Sequence, residues 1–183
     1  PELGNKKLGK EWNNTDRHMA YELSPYDTTL VMDIDYFCYS NNLLQFMDTK
    51  YDFLISSEAF DLTNRKTFHS RVWSMIPMVW ATVFIFKKNE NVKKLFETIK
   101  YVKKYYLYFN QMYRIFSKNF RNDYAFAIAL QQLNGFITYN KLPVCLSTLP
   151  PDCKIIKMTD SGLAWQYQDK IDYIEHQDVH VLN

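Results

Sequence analysis

Residues 28–35 read TTLVMDID, and this stretch decides the fold. Its first part is apolar and β-branched, which is typical of a buried strand, and two carboxylates, Asp33 and Asp35, follow where the strand ends. Residues two apart on an extended backbone point to the same side, so both acids can reach one hard cation. The carboxyl ends of strands are where open α/β sheets bind ligands, and the pair therefore predicts a metal site there.

Further strands and helices follow the acidic pair. Residues 52–56 (DFLIS) predict a short buried strand, and residues 79–86 (VWATVFIF) predict the strongest strand of the sequence. Apolar side chains recur at helical spacing over residues 90–106, and a second helix is predicted for residues 123–133, between an acidic start and Asn-Gly. Strands mixed with amphipathic helices indicate an α/β sheet with helices packed on it.

The remaining segments predict shorter elements within one domain over residues 1–183. Residues 1–15 are polar and predict a connector, and residues 57–75 have no clear period and predict a loop. A short helix, a helical turn and three strands are predicted, in that order, for residues 16–23, 41–47, 154–158, 164–168 and 179–182.

The composition excludes several classes of protein. An apolar fraction of 47% argues for a packed globular domain, and a net charge of +2 is too balanced for a nucleic-acid groove recognised by bulk charge. Cys38, Cys145 and Cys153 lack the spacing of a disulfide framework or zinc site, which favours a reducing cytoplasm. No apolar run approaches the roughly 20 residues that span a bilayer, so we expect no membrane span.

Beyond the strand itself, the flanks of the acidic pair carry a family resemblance. Residues 24–35 (SPYDTTLVMDID) resemble the metal-binding segment of GT-A glycosyltransferases, particularly the glycogenin-like and phage-encoded groups. Residues 77–86 resemble the family's strand past the acceptor pocket, and residues 120–130 (FRNDYAFAIAL) resemble its acidic-headed helix beside the acceptor. His180 resembles the late histidine of the family's metal site. The resemblance extends from residue 21 to the end of the chain.

The resemblance implies a GT-A-like mixed sheet flanked by helices and a metal-dependent transferase. It implies that Asp33, Asp35 and His180 hold Mn²⁺ or Mg²⁺, which bridges the diphosphate of a nucleoside-diphosphate sugar donor. It assigns Asp123 as the catalytic residue, and Asp123, Asn122 and Trp80 to acceptor binding. The acceptor is a hydroxyl of a glycan or a modified DNA base, and we expect retention of configuration at the sugar carbon.

Each assigned residue also has an ordinary interpretation. Acids at a strand end are often solvated, a lone histidine is often a surface or core residue, and Asp123 at a helix start can be a capping or dipole partner. Most tryptophans simply pack in the core. Weaker candidates share these alternatives: Glu58, Asp61, Arg71, Trp73, Lys87, Arg121, Trp165 and the basic and aromatic stretch over residues 93–114.

The sequence departs from the family at two points. Nothing before Asp16 resembles the nucleotide-binding βαβ half, and the chain begins at Pro1, so we expect an upstream donor-binding segment of the same polypeptide. His180 lacks the HxxGxxKPW setting of glycogenin-like enzymes. The leading hypothesis is a glycosyltransferase in the cytoplasm of the cell or of a viral host. The alternatives are a non-catalytic binding or structural module derived from the GT-A fold, and a metal-dependent phosphotransferase or nuclease.

Overall fold

A computed structural model describes residues 6–7, 10–11, 14–63, 74–115, 119–137 and 139–181. The helical elements in this part are two 3₁₀-helices, Arg17–Met19 and Leu44–Phe46, and the α-helices α1 (Ala20–Leu23), α2 (Glu90–Lys104), α3 (Tyr106–Met112) and α4 (Asn122–Leu133). The strands are β1 (Lys6–Lys7), β2 (Lys10–Glu11), β3 (Thr28–Met32), β4 (Tyr36–Phe37), β5 (Phe53–Ser56), β6 (Ala59–Asp61), β7 (Trp80–Lys87), β8 (Leu146–Thr148), β9 (Lys154–Met158), β10 (Gly162–Tyr167), β11 (Lys170–Glu175) and β12 (Val179–His180).

The strand that precedes the acidic pair lies beside the longest strand that the structure describes. In the described part, β7 is hydrogen-bonded between β3 and β5 and is antiparallel to both. The register pairs Thr28 with Lys87 and Met32 with Val83, so β3 runs out toward the start of β7. The N–H of Asp33 still donates to the carbonyl of Thr82 at 3.0 Å. Asp33 therefore marks the point where the chain leaves this sheet.

A second sheet brings the late histidine to the same place. Its order is β4-β12-β8-β6, with β12 antiparallel to β4 and parallel to β8. His180 pairs with Tyr36, which follows the acidic pair directly. A third sheet, β11-β10-β9, is an antiparallel meander. The predicted mixed α/β class is confirmed by this combination of sheets and helices.

Both faces of β7 are covered, which explains its continuous apolar sequence. On one face, Phe84 and Phe86 pack against α2 and α4, and the rings of Phe84 and Phe126 are 5.0 Å apart between centroids. On the other face, Val83 and Ile85 pack against a core cluster that reaches the second sheet. The helix α2 begins at Asn89, whose side chain accepts a hydrogen bond from the N–H of Val92 at 2.9 Å.

Several predicted elements differ from the structure. The loop predicted over residues 57–75 is wrong at β6, which pairs in parallel with β8, while residues 64–73 lie outside the described part. The helix predicted to residue 106 instead ends at Lys104 and α3 follows. Within the predicted connector, β1 and β2 pair with each other. Among the helices that the structure describes, none has the length and apolar character needed to cross a membrane.

Candidate metal centre

An irregularity in β7 creates the surroundings of the acidic pair. Ile55 of β5 pairs with Phe84, but the next residue, Ser56, pairs with Trp80. The register therefore shifts, and the residues of β7 between these two pairs have no regular partner on the β5 side. Their backbone groups need other hydrogen-bond partners because buried peptide groups are seldom left unpaired.

Side chains supply these partners. The N–H of Ala81 donates to Oδ1 of Asp123 at 2.9 Å, and the carbonyl of Ala81 accepts from the guanidinium of Arg17. Arg17 comes from the first 3₁₀-helix and Asp123 from the first turn of α4. The irregular part of β7 therefore draws a cation and an acid from distant parts of the chain to the end of β3.

Asp33, Asp35 and His180 meet at this place. One potential ligand atom from each residue lies within 4.8 Å of the other two. Nε2 of His180 is 3.0 Å from Oδ1 of Asp35 and 3.8 Å from Oδ2 of Asp33. The three residues that the sequence analysis assigned to a metal are thus brought together, although 145 residues separate Asp35 from His180.

Backbone hydrogen bonds hold this cluster in position. The chain turns after β3, where the N–H of Tyr36 donates to the carbonyl of Asp33 at 3.1 Å. The carbonyl of Asp35 accepts from Val181 at 2.9 Å, and the carbonyl of His180 accepts from Leu149, also at 2.9 Å. Asp35 and His180 are thus held by backbone hydrogen bonds of one sheet, while Asp33 is held by its bond to Thr82 of the other sheet.

The donor atoms suit a divalent cation. Carboxylate oxygens are the preferred ligands of Mg²⁺ and Mn²⁺, and a neutral imidazole adds one nitrogen ligand. Nε2 of His180 faces the carboxylates, while its buried Nδ1 has no hydrogen-bond partner among the described residues. Without a metal, the 3.0 Å contact is a hydrogen bond from the N–H at Nε2 to Asp35; with a metal bound, the proton would be on Nδ1 and the lone pair of Nε2 would face the ion. The residues present therefore fit a hard divalent metal.

Arg17 was not predicted as a site residue from the sequence, yet among the described residues it is a cation in direct contact with the site. Its guanidinium forms an ion pair with Oδ1 of Asp33, and the two side chains are 12% and 16% exposed. Burial lowers the pKa of Arg17, while Asp123 and Asp35 act in the opposite direction. The other oxygen of Asp33, Oδ2, faces His180. The ion pair therefore occupies one carboxylate oxygen and leaves the second on the metal side.

The residues assigned to the acceptor lie in different surroundings. Asp123 contacts Ala81 and lies outside the cluster formed by the metal-site residues. Asn122 is 3% exposed, and its amide donates to the carbonyl of Asn14 at 2.7 Å. Trp80 is 7% exposed and packs in the core between the two sheets. Of these residues, Asp123 is the one that shares a neighbour, Arg17, with the acidic pair.

Three of the weaker candidates, Asp61, Lys87 and Trp165, have structural contacts. Asp61 is buried and accepts hydrogen bonds from the N–H and the hydroxyl of Thr63. Lys87 donates to the carbonyl of Thr49, and Trp165 lies on β10 and is buried in the core beside the meander. Arg71 and Trp73 lie outside the described residues.

Asp178 stabilises the backbone next to the metal-site residues, and this role was not predicted from the sequence. Its Oδ1 accepts hydrogen bonds from the N–H groups of Tyr39 and Ser40 at 2.8 and 2.7 Å. These bonds tie the segment after β4 to the segment before β12. Asp178 precedes the candidate ligand His180 by two residues, but nothing in the sequence indicates which groups its carboxylate contacts.

Comparison with known proteins gives no further assignment. No protein-family model, no curated protein and no solved structure matches the chain.

Proposed function

We infer that the chain contributes the metal-binding and acceptor part of a glycosyltransferase, which moves a sugar from a nucleoside-diphosphate sugar to a hydroxyl acceptor. The observation that carries this proposal is the convergence of Asp33, Asp35 and His180 at the end of β3. The resemblance of residues 24–35 to the metal-binding segment of GT-A enzymes supports the proposal independently of where these side chains lie in the fold. The metal is Mn²⁺ or Mg²⁺.

The arrangement suits the departure of a diphosphate. A divalent metal, when bound, neutralises the negative charge that develops on the leaving group. Asp33 and Asp35 would hold that ion on the side of His180. Arg17 places a fixed positive charge next to Asp33 and within the field of Asp35 and Asp123. It is therefore suited to attract an anionic donor to the same place.

Asp123 is the proposed catalytic residue on the acceptor side. Its Oδ1 holds the N–H of Ala81, and its position in the first turn of α4 fixes its carboxylate beside Arg17. An acceptor hydroxyl that reaches this carboxylate can be oriented or deprotonated by it. Asn122 and Trp80 remain proposed acceptor residues. The acceptor is a glycan or a modified nucleobase, and the donor's base and ribose would be bound by an upstream segment.

Hydrolysis of nucleotide sugars tests the proposal. A panel of uridine, guanosine and thymidine diphosphate sugars is incubated, with and without Mn²⁺, with the protein that carries the upstream segment, and sugar release is measured. We expect release from at least one donor, dependent on Mn²⁺, and its loss in Asp35→Ala. Asp160→Ala, which removes an exposed acid remote in sequence from the site, is the matched control. Equal metal-dependent release by wild type and Asp35→Ala contradicts the proposal.

A non-catalytic module is the second candidate, and the ion pair between Arg17 and Asp33 favours it. Arg17 already neutralises one of the acids, so the cluster is stable as a structural element without a metal. This alternative predicts no Mn²⁺-dependent hydrolysis with any donor, including in a protein that carries the upstream segment. Activity of that longer protein would exclude it.

A further inference from the structure

A cleft opens at the opposite end of the β3-β7-β5 sheet from the metal centre. Thr28, at the start of β3, pairs with Lys87, whereas Asp33 follows the other end of this strand. Phe53 pairs with Phe86, so β5 begins at the Lys87 end. The cleft, about 470 Å³ in volume, lies there between the start of β5, the first turns of α2 and the end of α4.

The cleft has an apolar floor and a polar wall. Phe53, Val92, Leu95 and Leu130 line it, and all four are buried in the domain core, so the floor is rigid. Most of its other lining residues carry polar side chains. Clefts with an apolar base and a few convergent polar groups are the usual form of sites for small organic ligands.

Three amide side chains in the wall are free to bind a ligand. Asn91, Asn134 and Asn140 line the cleft, and their side chains make no hydrogen bond to any residue that the structure describes. Each amide can donate and accept at once. Sugar hydroxyl groups have the same dual character, so these amides suit a ligand rich in hydroxyl groups.

The wall combines charges of both signs with aromatic rings. Lys50 and Lys94 line the cleft together with Asp52, whose carboxylate offsets one of the two positive charges. Tyr51 is 40% exposed, and Nζ of Lys50 lies 5.4 Å from the centre of its ring. Tyr139 also lines the cleft. Tyrosine combines an apolar ring, which can pack on the C–H face of a sugar, with a polar hydroxyl.

We propose that this cleft is a second binding site, for a neutral oligosaccharide, remote from the metal centre. The site goes beyond the proposed transfer reaction and needs neither the metal nor the acidic pair. It would hold a sugar chain on the protein at the end of the sheet opposite Asp33. Asn91, Asn134 and Asn140 bind hydroxyl groups, and Tyr51 packs against a sugar ring.

Titration of the full chain with oligosaccharides, followed by amide chemical shifts in ¹H–¹⁵N NMR spectra, tests the proposal. The probes are maltohexaose, chitopentaose and mannopentaose, with sodium pyrophosphate as the anion. We expect at least one oligosaccharide to shift the signals of Asn91, Asn134 and their neighbours saturably. In the double variant Asn91→Ala/Asn134→Ala, the affinity should fall at least about tenfold, as the loss of two hydrogen bonds implies. Lys93→Ala, an exposed change on α2 outside the cleft, should bind like wild type.

Three results overturn the proposal. They are no shift with any of the three oligosaccharides at millimolar concentration, shifts that persist in the folded double variant, or binding of pyrophosphate in place of sugars. The spectrum of the double variant itself shows whether that variant is folded. Donor hydrolysis separates this site from the proposed function. The double variant should keep Mn²⁺-dependent hydrolysis, and Asp35→Ala should keep oligosaccharide binding.

Discussion

The guanidinium of Arg17 forms an ion pair with the carboxylate of Asp33 and also donates to the carbonyl of Ala81. One side chain thus joins the first 3₁₀-helix to β7 and to the end of β3. The pair compensates an acid that is largely removed from water. It also places a positive charge next to any cation that would bind there, so we expect Arg17 to stabilise the fold and to weaken metal binding.

Replacement of Arg17 separates these two effects. We expect Arg17→Met to lower the free energy of unfolding by roughly 2–4 kcal/mol, because Asp33 loses its partner in a partly buried place. Metal affinity should instead rise about tenfold, since a unit charge and a divalent ion about 6 Å apart repel by roughly 1.4 kcal/mol in water. Urea denaturation and Mn²⁺ titration measure the two quantities.

Arg17→Lys is the control for charge. It keeps the positive charge but not the planar fork, so metal affinity should stay near wild type. Unchanged Mn²⁺ affinity in a folded Arg17→Met protein would show that Arg17 does not act on the bound metal.

Asp123 has a structural contact and a proposed catalytic role, which two substitutions distinguish. Asp123→Asn keeps an oxygen that can accept from the N–H of Ala81, so its free energy of unfolding should stay within about 1 kcal/mol of wild type. Asp123→Ala leaves that N–H unpaired and should cost about 1–3 kcal/mol. Sugar transfer to an acceptor should fall about 10²- to 10⁴-fold in both, because neither variant can take a proton. Full transfer activity in Asp123→Asn argues against the catalytic role.

Asp178 is expected to control the site without touching a ligand. Its carboxylate accepts from the N–H groups of Tyr39 and Ser40, and it precedes His180 by two residues. Asp178→Ala should lower the free energy of unfolding by about 1.5–3 kcal/mol, the usual range for hydrogen bonds to a charged group. Mn²⁺ affinity should fall as well, because the hydrogen bonds that connect the segment after Asp35 with the segment before His180 are lost. Asp178→Asn, with one remaining acceptor oxygen, should lie between wild type and Asp178→Ala in both measurements.

His18 gives the fold a dependence on pH. It is buried and packs where the first 3₁₀-helix meets α2. Burial lowers its pKa from the ordinary value of 6.5, Lys103 and Lys100 lower it further, and Asp16 and Glu22 oppose them. Below pH 6.5 the unfolded chain takes up this proton more readily than the folded one, so the free energy of unfolding should fall as the pH drops.

The variant His18→Gln isolates that contribution. The loss of stability between pH 7.5 and 5.5, measured by urea denaturation, should be smaller in His18→Gln than in wild type. The other titrating groups contribute to both proteins alike. An equal loss in the two proteins would show that His18 keeps its ordinary pKa in the folded state.

The elements with a strong hydrophobic period were predictable from the sequence. The apolar positions of α2 and the continuous run of β7 are long enough for their burial to specify the element type, and the structure has both. β8 and β11 were missed for physical reasons. β8 is short and is held by its parallel pairing with β6. Most side chains of β11 are exposed, so it has no clear apolar pattern. Local sequence does not determine such strands.

The residues of the candidate site also differ in how far the sequence predicts them. Asp33 and Asp35 were predicted as a pair from their spacing on an extended strand. The strand instead ends at Met32, and the turn closed by Tyr36 and Asp33 is what brings the two acids together. His180 was assigned through the family resemblance, and the long-range pairing with Tyr36 is what brings it to the acids. No sequence pattern marks Arg17 as a site residue. Its position depends on the irregularity in β7, and hydrophobic periodicity does not predict such an irregularity.

Binding of Mn²⁺ to the 183-residue chain tests the central claim most directly, because it needs no donor, acceptor or upstream segment. Free Mn²⁺ is measured by electron paramagnetic resonance during titration of wild type, Asp33→Asn, Asp35→Asn, His180→Ala and the control Asp160→Asn. The structure predicts one Mn²⁺ per wild-type and control chain, and a large loss of affinity in the other three variants. Folded wild-type protein that binds no Mn²⁺, or variants that bind it as wild type does, would contradict the assignment of a metal centre to these residues.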